Sequence, residues 1–232
     1  MKRGNYGLDA PFGVISMIIV GILLAAVGFF IPVKFVKFTF IIVGLLLFVQ
    51  GSYMVFSSRK GKYILREDML ERLAINGDEK ALDVGCGRGL LLNGVADRLK
   101  TGKAYGVDIW SGKDQSGNNL DAVLKNARLE GTEEKVEVVN ADMRRMPFED
   151  NSFDIIVSSL AIHNITNSEE RKKAILEIAR VAKHDCKIAI LDLANISEYA
   201  QILSSNGVKI DHITGLQYQM CPPVRILYGT KA

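Results

Sequence analysis

Residues 81–92 read Ala-Leu-Asp-Val-Gly-Cys-Gly-Arg-Gly-Leu-Leu-Leu, from Ala81 to Leu92. The apolar run Lys80–Val84 ends in three alternating glycines, Gly85, Gly87 and Gly89, and an apolar helix start follows. Glycine has no Cβ, so such a loop turns sharply and lets a ligand lie against bare backbone. A helix opening behind it offers unpaired N–H groups at its N-terminus. Strand, glycine turn and helix in this order predict an open α/β sheet with a ligand at the carboxyl end of its first strand.

The spacing excludes two familiar loops. The dinucleotide fingerprint G-x-G-x-x-G needs glycine where this chain has Leu90, and no Lys-Ser or Lys-Thr follows the glycines as a phosphate-binding loop requires. An acidic residue is expected about 20 residues on, where it accepts from ribose hydroxyls. Ala104-Tyr105-Gly106-Val107-Asp108 supplies Asp108. A carboxylate suits that task because it is acceptor-only and takes two hydroxyl donors. A third run, Lys135–Val139, leads into Asn140-Ala141-Asp142-Met143.

Asp83-Val84-Gly85-Cys86-Gly87-Arg88-Gly89 resembles the first motif of the class I S-adenosylmethionine-dependent methyltransferases. A second likeness is Pro147-Phe148-Glu149-Asp150-Asn151-Ser152-Phe153-Asp154, which leads into a fourth strand at Ile155–Ser158. The resemblance runs from near Ala74 to Ala232. It implies a doubly wound, seven-stranded, mostly parallel sheet with strand seven antiparallel beside strand five. It implies S-adenosylmethionine as cofactor, held by Asp83, Gly85, Cys86, Gly87, Gly89, Asp108, Ile109, Asp142, Met143 and Ser159. In that family the residue matched by Asp142 accepts from the adenine amino group and the next lines the ring; core packing stands beside that role for Met143. The methyl group then points toward Leu160–Asn164.

His163 and Asn164 are the catalytic candidates. Imidazole titrates near neutral pH and so suits a general base. Methyl transfer also proceeds by alignment alone, and His163 packing inside a cap is the competing reading. Asp154 is read as structural. Trp110–Asn118 is polar, glycine-rich and holds the sole tryptophan; it either covers the cofactor or is a surface insertion.

The N-terminal sixty residues have a different character. Met1–Asp9 is short and polar, and Ala10–Val33 carries no charge. Phe12–Ile31 as a helix spans about 30 Å, enough to cross a bilayer's hydrocarbon layer. Pro32–Lys37 breaks the run, and a second uncharged run, Phe38–Ser58, follows. Together they predict a transmembrane hairpin, residues 1–60. A cleaved signal peptide is a poorer account, because the apolar stretch is too long and a second follows at once. Helices apolar on every face also suit a soluble core badly. Gly21, Ala25, Gly28, Gly44 and Gly51 recur at helical spacing, as close helix approach in a membrane requires. Lys2, Arg3, Arg59, Lys60, Lys62 and Arg66 flank the spans, against Lys34 and Lys37 in the turn. That bias favours both termini and the catalytic domain on the cytoplasmic side.

Residues 61–75 predict an amphipathic linker helix with Met69, Leu70 and Leu73 on one face, lying on the sheet, on the bilayer, or both. The methyltransferase domain is expected over 76–232. Its remaining elements are helices over 90–100, 119–131, 168–182 and 196–206, and strands over 187–191, 208–214 and 224–230. Asp185-Cys186 reads as a turn. Tyr218, Met220 and Cys221 in the 215–223 loop suit loop packing better than a pocket. No large cap domain is inserted, so a lid must come from short loops or the membrane-side helix.

Composition bounds the rest. The chain has 232 residues, 48% hydrophobic, net charge +3 and mean hydropathy +0.15. That charge is too weak to argue for nucleic acid. Cys86, Cys186 and Cys221 have no metal-ligand spacing and suit a reducing compartment. The reading is a membrane-anchored methyltransferase acting on a small, apolar or lipid-like acceptor, with no metal. A soluble acceptor or a protein is the bland alternative. A non-catalytic S-adenosylmethionine-binding membrane adaptor is the second class, and a dinucleotide oxidoreductase a third.

Overall fold

The structure, a computed structural model, describes residues 4–110 and 118–232. Seven strands form one sheet: β1 (Lys80–Val84), β2 (Lys103–Asp108), β3 (Val136–Asn140), β4 (Phe153–Ser159), β5 (Ala182–Asp192), β6 (Val208–Ile213) and β7 (Arg225–Lys231). Their order is β3-β2-β1-β4-β5-β7-β6. The first five pair in parallel, while β7 runs antiparallel between β5 and β6. The chain reverses its strand order beside β1, so the carboxyl ends of β1 and β4 open a crevice there.

The sheet is covered on both faces, which is why its central strands are apolar throughout. One face buries Leu65, Met69, Leu70 and Leu73 of α3 (Lys62–Leu73) with Leu91 and Val95 of α4 (Leu90–Arg98) and Val123 of α5 (Leu120–Glu130). The other buries Ile175 and Ile178 of α6 (Ser168–Val181) with Tyr199 and Leu203 of α7 (Ile196–Ser204). The linker helix α3 therefore lies on the sheet. It continues the second apolar helix through one wide turn at Ser57–Gly61.

Two boundaries differ from expectation for a physical reason. The second apolar helix, α2 (Lys34–Phe56), begins at Lys34, so only residues 31–33 break the run. Lys34 and Lys37 are good helix formers and need no loop once their heads point outward. Strand β5 begins at Ala182, before the expected turn, because Phe153 pairs with Ala182 ahead of a register shift. Asp185 sits in that irregularity at φ 64°. Asp154 is structural, accepting from the Lys80 backbone N–H at 2.9 Å and from Lys183 Nζ at 2.8 Å.

Helices α1 (Pro11–Phe30) and α2 pack as an antiparallel pair with mean hydropathy 2.6 and 2.0 over their most apolar windows. Both are long and apolar enough to cross a bilayer. Their seam is made of small residues. A Cβ on Gly44 would stand 2.6 Å from the Ala25 nitrogen, and one on Gly21 would stand 2.7 Å from the Gly44 carbonyl oxygen.

Gly44→Leu is expected to force the helices apart at a cost of about 1–3 kcal/mol. The check is the melting temperature of the detergent-solubilised chain, which should fall. An unchanged melting temperature would contradict the small-residue seam.

Candidate functional site

The turn after β1 depends on glycine. Gly85 and Gly87 have φ of 71° and 54°, in the left-handed region. A Cβ on Gly85 would lie 2.3 Å from the Ala161 Cβ. Ala161 precedes the short helical turn Ile162–Asn164 that follows β4, so the bare Cα lets two adjacent strand ends close on one another. Gly89 has another task. It caps α4 at φ 84° and faces Asn93 and Val123, and it does not border the cleft.

Two carboxylates brace this turn. Asp108, at the end of β2, accepts from the Gly87 N–H at 2.8 Å and from the Trp110 N–H at 2.6 Å. Trp110 folds back, its indole N–H reaching the Gly87 carbonyl at 3.3 Å. The expectation that the segment beyond it covers the cofactor falls on residues 111–117, outside those described. Asp83 is buried inside β1 and accepts from the Leu92 N–H at 2.9 Å. Burial pushes its carboxyl up to about 8, against the Leu92 hydrogen bond and with the Asp108 charge adding to the rise. Burial also pushes the Cys86 thiol well up, so it is an inert thiol in the loop wall.

A cleft of about 1030 Å³ runs from this turn. Asp83, Gly85, Cys86, Gly87, Asp108, Ile109, Asp142, Met143, Ser159, His163 and Asn164 all border it. The topology thus brings together every expected site residue except Gly89. Asp142 is already engaged. Arg144 Nε stands 2.9 Å from each of its oxygens and holds the carboxyl below the usual range. A base-binding role for Asp142 therefore shares its carboxylate with Arg144. Met143 both borders the cleft and packs on the core.

Three features escaped the sequence reading. Met220 and Cys221 line the cleft, while Tyr218 is 64% exposed, which corrects the loop-packing expectation. The loop is drawn in because Cys221 N–H donates to Ser57 Oγ at 2.9 Å and Gln50 Nε2 reaches Cys221 Sγ at 3.1 Å.

The second feature is the polar N-terminus, which is a strap. Gly4 N–H donates to Glu130 and Asn5 N–H to Asn126, both at 2.8 Å. Lys62 Nζ donates to the Tyr6 and Gly7 carbonyls at 2.8 and 3.0 Å and lies 3.4 Å from Asp9. Burial lowers the Lys62 ammonium, and Asp9 opposes that. Lys62 is thus a tether, not a free positive flank. Tyr6, Asp9 and Ala10 border the cleft and carry the start of α1 to its rim.

The third is Asp192, which ends β5 and is 1% exposed. Its Oδ1 lies 2.6 Å from His163 Nδ1, and its Oδ2 accepts from the His163 backbone N–H at 3.1 Å. An acidic residue closing an apolar strand, as in Leu191-Asp192-Leu193, is the signal that had located Asp108.

Residues 82–190 match the family model described as a methyltransferase domain. An uncharacterized protein of Haemophilus influenzae is 32% identical over 166 residues, covering 68% of this chain and 63% of that one. A 2-phytyl-1,4-naphtoquinone methyltransferase of Trichormus variabilis is 33% identical over 115 residues, covering 49% and 46%. A crystal structure of a SAM-dependent methyltransferase from Aquifex aeolicus superposes at TM-score 0.61, with 18% identity and coverage of 79% and 98%, and shows the same fold. The chain spans less than two thirds of the length of these curated relatives. Residues 82–190 thus match a methyltransferase domain, the sheet has the fold of an S-adenosylmethionine-dependent methyltransferase, and S-adenosylmethionine is the cofactor that goes with that domain and fold.

The cradle fits such a molecule. It offers bare backbone at two left-handed glycines, carboxylates at the ends of two strands and an apolar floor at Met143. When bound, the cofactor supplies an electrophilic methyl group.

Gly85→Ala meets a clash and a φ that costs a non-glycine residue about 1–2 kcal/mol. Calorimetry with S-adenosylhomocysteine should show binding weakened by about ten-fold or more, that being 1.4 kcal/mol. Wild-type affinity in this variant would remove the turn from the account. Asp83 gives a pH test. Its folded value lies above its unfolded one, so the folded chain binds the extra proton between about pH 4 and pH 8 and loses stability as pH rises through that window. Asp83→Asn removes the titrating group, so its melting temperature should gain on wild type from pH 5 to pH 8. A constant difference would contradict the buried acid.

Proposed function

We propose that the chain is a membrane-anchored S-adenosylmethionine-dependent methyltransferase whose acceptor is small and apolar or lipid-like. The observation that carries this is the reach of the cleft. Its lining includes Asp108 and Asp142 together with Pro11 and Phe12 of α1, Met54 of α2, and Met220. Hairpin and catalytic crevice thus share one cavity. An acceptor dissolved in the bilayer would enter at the hairpin's base without crossing water. The quinone named in the Trichormus relative fits the same chemistry.

In this reading residues 1–60 are the anchor, 61–75 the linker and 76–232 the catalytic domain. The hairpin crosses the membrane twice and keeps the domain on the cytoplasmic side, where Arg59 and Lys60 follow the second span. Asp83, Gly85, Cys86, Gly87, Asp108, Ile109, Asp142, Met143 and Ser159 hold the cofactor, with Gly89 shaping the helix start behind it. His163 and Asn164 face the acceptor.

The test incubates the detergent-solubilised chain with methyl-labelled S-adenosylmethionine and a bacterial lipid extract. Label is expected in the organic phase. Phe12→Glu with Met54→Glu should lower that turnover by about ten-fold or more through a charge in the apolar mouth, with S-adenosylhomocysteine binding retained. Cofactor binding with no transferred label would favour the adaptor reading. Label confined to water-soluble products would overturn the apolar acceptor.

A further inference from the structure

Asp192 lies outside every motif that marks the cofactor cradle, yet three donors bond it and His163 Nδ1 stands 2.6 Å away. Besides the two groups of His163, its Oδ2 accepts from the Tyr199 hydroxyl at 3.2 Å and its Oδ1 from the Leu193 N–H at 2.8 Å. A carboxylate 1% exposed needs such partners to remain in place. Burial, with the nearby Asp192 charge adding to it, pushes the Tyr199 hydroxyl above its ordinary range, so Tyr199 stays a donor.

The His163 side chain is 21% exposed and borders the cleft beside Leu160 and Ala161. Its Nδ1 is buried, and Asp192 Oδ1 is at hydrogen-bonding distance from it but out of line. With Nδ1 turned to the carboxylate, Nε2 is the nitrogen left for the cleft. The other charged or titratable groups around the pair are Arg171 and Glu170 of α6 and Glu198 of α7. Arg171 feels the Asp192 charge, but its Nη2 is taken by Glu198 at 2.7 Å and its Nη1 by the Ile165 and Thr166 carbonyls, and Glu170 is paired with Arg144 and Lys173, so none of the three bonds Asp192.

We propose that Asp192 is a positioning residue for His163, and that the acceptor is an apolar molecule with an ionisable hydroxyl, a phenol or enol. This rests on the methyltransferase reading above and names its acceptor class. An arylamine, uncharged at neutral pH, arrives with a free lone pair and sheds its proton to water after the attack. A base held by a buried carboxylate is useful where the nucleophile must lose a proton as it attacks. The hydroxyl proton passes to His163 Nε2. An oxygen lone pair forms the bond to the methyl carbon, the carbon–sulfur pair stays on sulfur, and S-adenosylhomocysteine leaves.

The chain has only three histidines, His163, His184 and His212, so their ring nitrogens are separable by NMR. With S-adenosylhomocysteine added to the full chain in detergent, wild type should show a histidine protonated at Nδ1, and Asp192→Asn should lose it. In phosphatidylglycerol vesicles, para-dodecylphenol should be methylated and para-dodecylaniline should not. Asp192→Asn should lower kcat on the phenol by about 100-fold with the S-adenosylmethionine KM unchanged, the size of a lost proton-transfer role. Asp192→Glu should recover part of it. His163→Ala should regain rate as pH rises, because hydroxide then ionises the phenol. His163→Gln carries the kinetic test if Asp192→Asn does not fold.

Coincident histidine spectra, an unchanged kcat, or methylation of the aniline alone would overturn the proposal. So would an inert phenol when the lipid-extract assay gives product. A chain that binds S-adenosylhomocysteine and labels nothing in either assay overturns the methyltransferase reading instead.

Discussion

The structure depends on a turn that only glycine makes comfortably. At Gly85 and Gly87 the backbone is left-handed, and the Asp108 carboxylate, one strand away, holds the Gly87 N–H at 2.8 Å. That bond ties the loop after β1 to the end of β2, and the missing Cβ at Gly85 lets Ala161 close from the β4 side. Three strand ends are thereby locked around one crevice. Any side chain at Gly85 would separate them.

Around that lock the chain is assembled so that the crevice has two unlike ends. The sheet supplies carboxylates, Asp108 beside the glycine turn and the buried Asp83 and Asp192. The opposite end is built from elements that are not part of the sheet: the strap, the base of the helix pair and the 215–223 loop. They meet there because the wide turn at Ser57–Gly61 carries α2 directly into α3, which is itself packed on the sheet. Lys62, buried under the Tyr6 and Gly7 carbonyls, fastens the strap at the same junction.

What was legible in the sequence, and what was not, divides along the same line. Local rules located the glycine turn, Asp108 and the small residues Gly21 and Gly44 of the helix seam, because each is a matter of spacing within one element; the antiparallel place of strand seven followed from the family resemblance instead. The strap was read only as short and polar, since its bonds to Asn126 and Glu130 join residues more than a hundred positions apart. Met220 and Cys221 reached the cleft through Ser57 and Gln50, again a pairing that no local pattern announces. The start of β5 was misplaced because its first pair, Phe153 with Ala182, precedes a register shift. Asp192 closes an apolar strand as Asp108 does, but its partnership with His163 joins residues 29 positions apart and has no local signature.

The central claim is that this crevice, in the whole chain with its helix pair attached, holds an adenosyl sulfonium against bare backbone. Isothermal titration of the detergent-solubilised full chain with S-adenosylmethionine measures that directly. The account predicts saturable binding of one molecule per chain, displaced by S-adenosylhomocysteine. A folded chain that takes up neither molecule would contradict it.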